Sequence, residues 1–330
     1  MNAAKVELHL HLDGSLNIKW AYQKLLQRNV LDTTTSFEDF YDILYSMNKE
    51  HTADNFLKFD LLCKTLQYEE DLYEATYNLV ELLSKKGLIY AEIRFASQQH
   101  CLEGLSQKQA LKAVIDGAKA ACEKYPIKIG IINCLMHKGN SAAFNYKENI
   151  ETILATEEYL GQGAVALDLA GYENNCDFKD YGNLFEVARV KNIPYTIHAG
   201  EMGVGSHIMD ALEMKPYRIG HGINCIQDET YLKAVVDKQI PLEVCVSSNI
   251  KSSGDNYSRH PIRQLIEAGA KVTINTDNII FSKSDLLHEY AMLELIGVSE
   301  KQLQQCTLNA IDAAFISEEE KNKLRGQLSF

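Results

Sequence analysis

The chain has 330 residues, 46% of them hydrophobic, which is enough for one large domain or two ordinary ones with a sizeable core. Its formal net charge of −12 argues against a nucleic-acid partner, which would want a basic stripe. No apolar run approaches the roughly 18 residues of a membrane helix, and none follows a basic start as in a signal peptide. Eight cysteines without a C-x-x-C pair suit reduced thiols, so the expectation is a cytoplasmic protein with no membrane partner.

Short apolar runs alternate with longer amphipathic ones. The runs predict strands at 5–11, 88–95, 127–134, 164–169, 193–198, 217–221, 240–246 and 271–277. Between them, helical periodicity is clear at 106–124, 147–160, 178–191, 228–238, 260–268 and 284–296. Several helices fill residues 15 to 86, and two more, near 299–310 and 317–327, close the chain. Strands alternating with helices imply parallel pairing through right-handed crossovers. Eight such units predict an α/β fold, a (β/α)8 TIM barrel with extra helices after strand 1 and at the C-terminus. The competing open, doubly wound sheet usually begins with a glycine-rich turn, whereas the first strand here runs into His-Leu-Asp-Gly. No repeat or Pro/Gly-rich linker divides the chain, so 1–330 reads as a single domain.

Barrel enzymes place their chemistry at the C-terminal ends of the strands. Read in order, those ends carry His9 and His11, Asp168, His198 followed by Glu201, His221, the run Ser247-Ser248-Asn249, and Asp277-Asn278. In the first strand, Val6, Leu8 and Leu10 alternate with Glu7, His9 and His11. The first three would face the helices and the second three the barrel interior. Buried imidazoles without partners cost free energy, and a divalent metal removes that cost. The H-x-H spacing puts two nitrogens on one face, about 7 Å apart at the backbone. His198 and Asp277 would approach from across the barrel. Three imidazoles and one carboxylate suit zinc with a water in the remaining position, and such a water ionises near neutral pH.

Glu201 reads either as a first-turn glutamate favoured by the helix dipole or as a proton donor beside that water. His221, at a strand end beside Gly222, reads as a site residue. Asp168 is expected to pack inside the barrel and bond to backbone. His51, His100, His137, His207 and His288 fall in predicted helices or loops without a partner pattern. His260 precedes Pro261 at a helix start and reads as capping geometry.

The segments "VELHLHLDGS", "YAEIRFAS", "ALDLAGYE", "TIHAGE", "RIGHG", "EVCVSSN" and "INTDNIIFS" with "LLHEY" occur in that order over residues 5 to about 290. Together they resemble the successive motifs of adenosine deaminases, in the metal-dependent amidohydrolase superfamily. The resemblance implies zinc-dependent hydrolytic deamination of a 6-aminopurine nucleoside to inosine and ammonia, in purine salvage. His9, His11, His198 and Asp277 would hold the zinc, one ion per chain, because "ALDLAGYE" lacks the bridging lysine of binuclear relatives. Glu201 would protonate purine N1, and His221 would orient the attacking hydroxide and help relay its proton. The Gly171 N–H would meet the purine edge at N3. Asp13 would accept a hydrogen bond from the ribose 5′-hydroxyl.

Two positions depart from the family pattern. Asn278 replaces the usual second aspartate of Thr-Asp-Asp-Pro, and its amide N–H would serve as the donor to purine N7. Val246 replaces a common proline and is expected to be structural. Asp13, where relatives acting on free adenine tend to carry glutamate, favours adenosine and deoxyadenosine. The alternatives are a deaminase of adenine or of a 5′-modified or N6-methylated adenosine, a two-metal phosphotriesterase or lactonase on the same barrel, and a catalytically dead binding protein.

Overall fold

The computed structural model describes residues 5–46, 54–139, 141–173, 177–202, 204–253 and 256–329. In β1 (Val6–His11) the alternation sorts side chains as expected. Val6 and Leu8 pack into an outer apolar cluster with Tyr90, Ala310, Ile311, Ala314 and Leu324. Glu7 and His9 are fully buried on the opposite face. Among the described residues four helices follow: α1 (Ile18–Gln27), α2 (Phe37–Ser46), α3 (Asp54–Cys63) and α4 (Glu69–Lys85). The alternation then continues with β2 (Tyr90–Phe95), α5 (Gln107–Cys122), β3 (Lys128–His137), α6 (Tyr146–Tyr159), β4 (Ala164–Gly171), α7 (Gly182–Val190), β5 (Thr196–Ala199), α8 (Ser206–Glu213) and β6 (Arg218–His221). It ends with α9 (Glu229–Lys238), β7 (Leu242–Val244), α10 (Val246–Ser253), α11 (Ile262–Glu267), β8 (Val272–Ile274), α12 (Ile279–Ser282), α13 (Leu286–Leu295), α14 (Glu300–Ala313) and α15 (Glu318–Arg325).

Strands β1 to β4 form one parallel sheet in chain order and β5 to β8 a second. Two seams close them into a (β/α)8 barrel. Leu167 of β4 bridges to Tyr195 just before β5, and Leu10 of β1 bridges to Asp277 just after β8. At the second seam the Asp277 N–H donates to His9 O and the His11 N–H donates to Asp277 O, both at 2.8 Å. One step earlier a side chain replaces the ladder: the Leu8 N–H donates to Asn275 Oδ1 at 3.0 Å. The seam thus fixes where Asp277 sits relative to both β1 histidines. Helices α14 and α15 cover the far end of the ring. There the Phe315 N–H donates to Glu92 Oε1 at 2.7 Å and Arg218 Nη1 donates to Ala313 O at 2.8 Å.

Local sequence explains several helix starts. Ser106 with Gln109, Ser299 with Gln302 and Ser317 with Glu320 form reciprocal capping boxes at α5, α14 and α15. At α11 the Ile262 N–H donates to His260 Nδ1 at 3.2 Å, the capping role expected of that histidine.

Several strand ends differ from expectation, three of them most visibly. β3 runs on to His137, so this histidine closes a strand rather than lying in a helix or loop. β7 stops at Val244, and Val246, expected in that strand, begins α10. β8 stops at Ile274, and Asp277, three residues on, takes left-handed backbone with φ 63°. Seven cysteines are free thiols; Cys176 and His51 lie outside the described residues. Among the described residues no helix is long and apolar enough to cross a membrane.

Candidate metal centre and catalytic pocket

The two β1 histidines, His198 at the end of β5, His221 at the end of β6 and Asp277 after β8 converge. Ring centroids of His9 lie 5.4 Å from His11, 4.6 Å from His198 and 4.7 Å from His221. Asp277 Oδ1 is 3.5 Å from His9 Nε2 and 3.3 Å from His11 Nε2. Its other oxygen accepts from Ser248 Oγ at 2.6 Å, so the two carboxylate oxygens have separate tasks. Both His221 (φ 59°) and Asp277 (φ 63°) hold left-handed backbone, a strain tolerated where surrounding structure over-determines it.

Buried acids behind the histidines set which ring nitrogen carries the proton. His9 Nδ1 lies 2.8 Å from Glu243 Oε2, and His198 Nδ1 lies 2.9 Å from Asp168 Oδ2. The Glu243 carboxylate accepts from His9 Nδ1, and the Asp168 carboxylate, close to His198 Nδ1 without hydrogen-bond alignment, draws the proton to the nitrogen that faces it; in both rings Nε2 is left with its lone pair. His9 Nε2 is buried and has no hydrogen-bond partner among the described residues. One donor atom each of His9, His11 and Asp277 lies within 4.8 Å of the others, and so does one each of His9, His198 and His221. A bare buried lone pair beside a carboxylate and further imidazoles fits a divalent cation.

Arg94 links the two acids. Its Nη1 donates to Asp168 Oδ2 at 2.8 Å, and its Nη2 to Glu243 Oε2 and Leu8 O, both at 2.7 Å. Arg218 extends the network from Glu243 (2.5 Å) to Glu92 (2.6 Å). All five side chains are fully buried. Asp168 therefore does lie inside the barrel, but it meets the Arg94 guanidinium, with His198 Nδ1 beside it, rather than the backbone, because a cationic donor offers a stronger hydrogen bond than a neutral amide.

Electrostatics follow from burial and these neighbours. Burial lowers His11 and His221 well below the usual histidine range, and neighbouring imidazoles add to the fall. Burial opposes the charged form of His198, yet the Asp168 carboxylate outweighs it and raises the group. Burial would raise Asp277, but His9 and His11 hold it well below the usual carboxylate range. Glu201 is pushed up to about 8, first by burial and then by the Asp277 carboxylate.

The loop that carries Glu201 hangs from Glu173. This acid accepts from the N–H groups of Gly200 (2.5 Å), Glu201 (3.0 Å) and Met202 (3.1 Å), and its Oε1 lies 3.1 Å from His207 Nδ1. His207, read as having no partner pattern, is thus part of the loop's anchor. Glu201 Oε2 is 3.5 Å from His221 Nε2. On the other side of His221, Asn249 Nδ2 lies 3.1 Å from Nδ1, and Asn249 Oδ1 lies 3.4 Å from His260 Nε2. An amide N–H can only donate, so His221 Nδ1 accepts and Nε2 bears the proton that faces Glu201.

The remaining expected residues surround this centre. Asp13 is buried just after β1; burial pushes it up to about 6 against hydrogen bonds from Cys63 and Gly14. Gly171 ends β4 at φ 123°, where a Cβ would come within 2.8 Å of His137 O. Asn278 is buried, and its Oδ1 has no hydrogen-bond partner among the described residues. It packs against Gly14, where a Cβ would lie 1.8 Å from that oxygen. Sequence reasoning did not single out Gly14, Glu173, Arg94 or Glu243 as functional, and it placed Ser248 and Asn249 at the rim without giving them a role. For Arg94 and Glu243 a signal existed: each alternates with apolar neighbours in "YAEIRF" and "LEV", as His9 does in β1.

Comparison with known proteins agrees with this picture. A family model described as adenosine deaminase matches residues 4–329. An adenosine deaminase of Haemophilus ducreyi is 36% identical over 97% of this chain and 94% of its own length. In structure, the chain is similar to an adenine deaminase from Arthrobacter aurescens (TM-score 0.88, 21% identity, 98% of each chain). It is also similar to an amidohydrolase from Burkholderia ambifaria with bound Zn (TM-score 0.88, 19% identity, 99% of this chain and 90% of that one).

Proposed function

The chain belongs to the adenosine deaminase family, and on that premise we propose that it hydrolyses adenosine and 2′-deoxyadenosine to inosine or deoxyinosine and ammonia. We place this activity in cytoplasmic purine salvage, with a purine nucleoside as the small-molecule partner and one zinc ion per chain. The observation that carries the reading is that His9, its Nε2 left bare, shares one cluster of donor atoms with His11 and Asp277 and another with His198 and His221. His9, His11, His198 and Asp277 would hold the zinc, which when bound supplies the positive charge that ionises water near neutral pH.

The aromatic amine is a poor leaving group and the purine ring resists attack. Glu201 addresses both. Raised to about 8, its carboxyl keeps a proton at neutral pH and can deliver it to purine N1, drawing electrons from C6. Glu173 holds three successive backbone N–H groups of the Glu201 loop, so the acid is positioned before substrate arrives. His221, with its proton on Nε2, orients the nucleophile beside Glu201. Asp13 accepts the ribose 5′-hydroxyl, the Gly171 N–H meets the purine edge, and Asn278 donates to N7.

Asn278 favours one second reading. A permanent amide donor at N7 also suits adenine or an N6-methylated or 5′-modified adenosine, and the Arthrobacter aurescens neighbour is an adenine deaminase. Asp13 weighs against adenine and 5′-modified adenosine, because its carboxylate needs the 5′-hydroxyl as donor. Absorbance assays over adenosine, deoxyadenosine, adenine, N6-methyladenosine and 5′-methylthioadenosine decide between them; faster turnover of free adenine than of adenosine would sink the nucleoside reading. Glu201→Gln should keep its zinc and bind nucleoside while kcat falls by about 10²–10⁴. Near-normal turnover in that variant removes Glu201 from the mechanism.

A further inference from the structure

Asp13 follows β1, Cys63 ends α3 and His100 follows β2, yet their side chains meet. All three are buried, and one donor atom from each lies within 4.8 Å of the other two. Cys63 Sγ is 3.5 Å from Asp13 Oδ2 and 3.7 Å from Gln99 Oε1. Two donors on one tetrahedral cation, sulfur at about 2.3 Å and oxygen at about 2.1 Å, stand about 3.6 Å apart. Both sulfur–oxygen distances sit next to that value. His100 is fully buried and stacked on Phe95 at 5.6 Å; the Leu66 and Cys63 carbonyls lie near its ring, but neither ring nitrogen makes an aligned hydrogen bond among the described residues. A buried imidazole held only by such misaligned contacts is costly, and a cation would relieve it.

We propose that Asp13, Cys63 and His100 form a second cation site, distinct from the centre built on His9, for a thiophilic divalent ion such as zinc or cadmium. Gln99 Oε1 closes the fourth position. On binding, the Cys63 thiol loses its proton to solvent and sulfur takes the cation in its place. The ion then occupies the Asp13 carboxylate, so its binding inhibits in competition with nucleoside; this consequence rests on the role given to Asp13 above.

The test titrates Cd²⁺ into protein already carrying its resident metal. Readouts are bound cadmium by equilibrium dialysis, ultraviolet thiolate-to-cadmium absorption, and initial rates at varied adenosine. One further ion per chain is expected, with thiolate absorption and a rise in apparent KM at constant kcat. Cys63→Ser and His100→Phe should keep the resident metal and the untreated activity. Each should weaken the second ion by more than the roughly 10–100-fold typical of losing a mere outer partner. Cadmium that binds Cys63→Ser as tightly as the parent protein, or without thiolate absorption in the parent, overturns the site. Cadmium held by Cys63 with KM unchanged keeps the site and instead refutes the assignment of Asp13 to the ribose.

Discussion

Arg94 offers the sharpest test of how the barrel interior supports its rim. In Arg94→Leu, Asp168 and Glu243 each lose a charge-assisted hydrogen bond, at 2.8 and 2.7 Å, with no water-exposed surface to compensate. Breaking a buried ion pair by removing one partner costs about 3–5 kcal/mol. Glu243 keeps Arg218, Thr196 and His9, and Asp168 keeps His198, so the lower end of that range applies. The loss should also reach the metal. Without the guanidinium, the two carboxylates no longer hold the His9 and His198 rings at fixed angles, and removal of such outer partners weakens metal affinity by about 10–100-fold. Urea unfolding of chelator-treated protein measures the first effect through the midpoint at an unchanged slope. Zinc competition against a chromophoric chelator measures the second. Arg94→Lys, which keeps the charge but lacks the bidentate fork, should fall between the two. A midpoint shift worth under about 1 kcal/mol together with unaltered zinc affinity would refute the argument, since that is the scale of an ordinary surface pair.

Three further outcomes are expected. Gly14→Ala pushes a Cβ onto Asn278, whose Oδ1 would lie only 1.8 Å away, and a displacement of this kind should lower kcat/KM by about 10²-fold while zinc content stays at wild-type level; an unchanged kcat/KM would detach Asn278 from substrate. Asn249→Leu removes the donor to His221 Nδ1, worth about 1 kcal/mol or roughly fivefold in kcat, with KM unchanged; steady-state kinetics read both. Glu289 is raised from 4.5 to about 7 by burial, so the folded chain binds its proton more tightly than the unfolded one; the stabilisation it contributes is complete below about pH 4.5 and lost as pH rises to about 7, some 3 kcal/mol in all. Glu289→Gln should flatten that part of the stability profile, and parallel profiles for the two proteins would contradict the assignment.

The barrel was legible because its strands are buried on both faces. Such strands read as apolar runs of five to eight residues, whatever helices lie between them. The first-strand pattern then gave the inward face directly. What escaped was where strands stop. The left-handed turn at Asp277 and the start of α10 at Val246 depend on contacts from β1 and from α13, whose Glu289 accepts from the Ser247 N–H at 3.1 Å. No local residue pattern announces them. The metal-facing histidines and Glu201 were legible because imidazoles and a carboxylate at strand ends are unusual. Glu173 was not, since one glutamate in a loop looks like any other until the N–H groups of residues 200 to 202 are seen to share it.

Four of the central residues are histidines, and sequence alone gives no reason to assign them different tasks. For three of them the partners at Nδ1 do. His9 and His198 each meet a carboxylate there, which draws the proton to Nδ1 and leaves Nε2 as a lone pair. His221 meets the amide N–H of Asn249, whose orientation is set in turn by His260 and the Ile262 N–H behind it. The polarity is reversed, and His221 carries its proton on Nε2, the atom that faces Glu201. A donor behind the ring makes a poor metal ligand and a good proton carrier; an acceptor behind it does the opposite. The division of labour proposed for this site therefore depends less on which residues ring the centre than on the hydrogen-bond direction imposed from one layer further out.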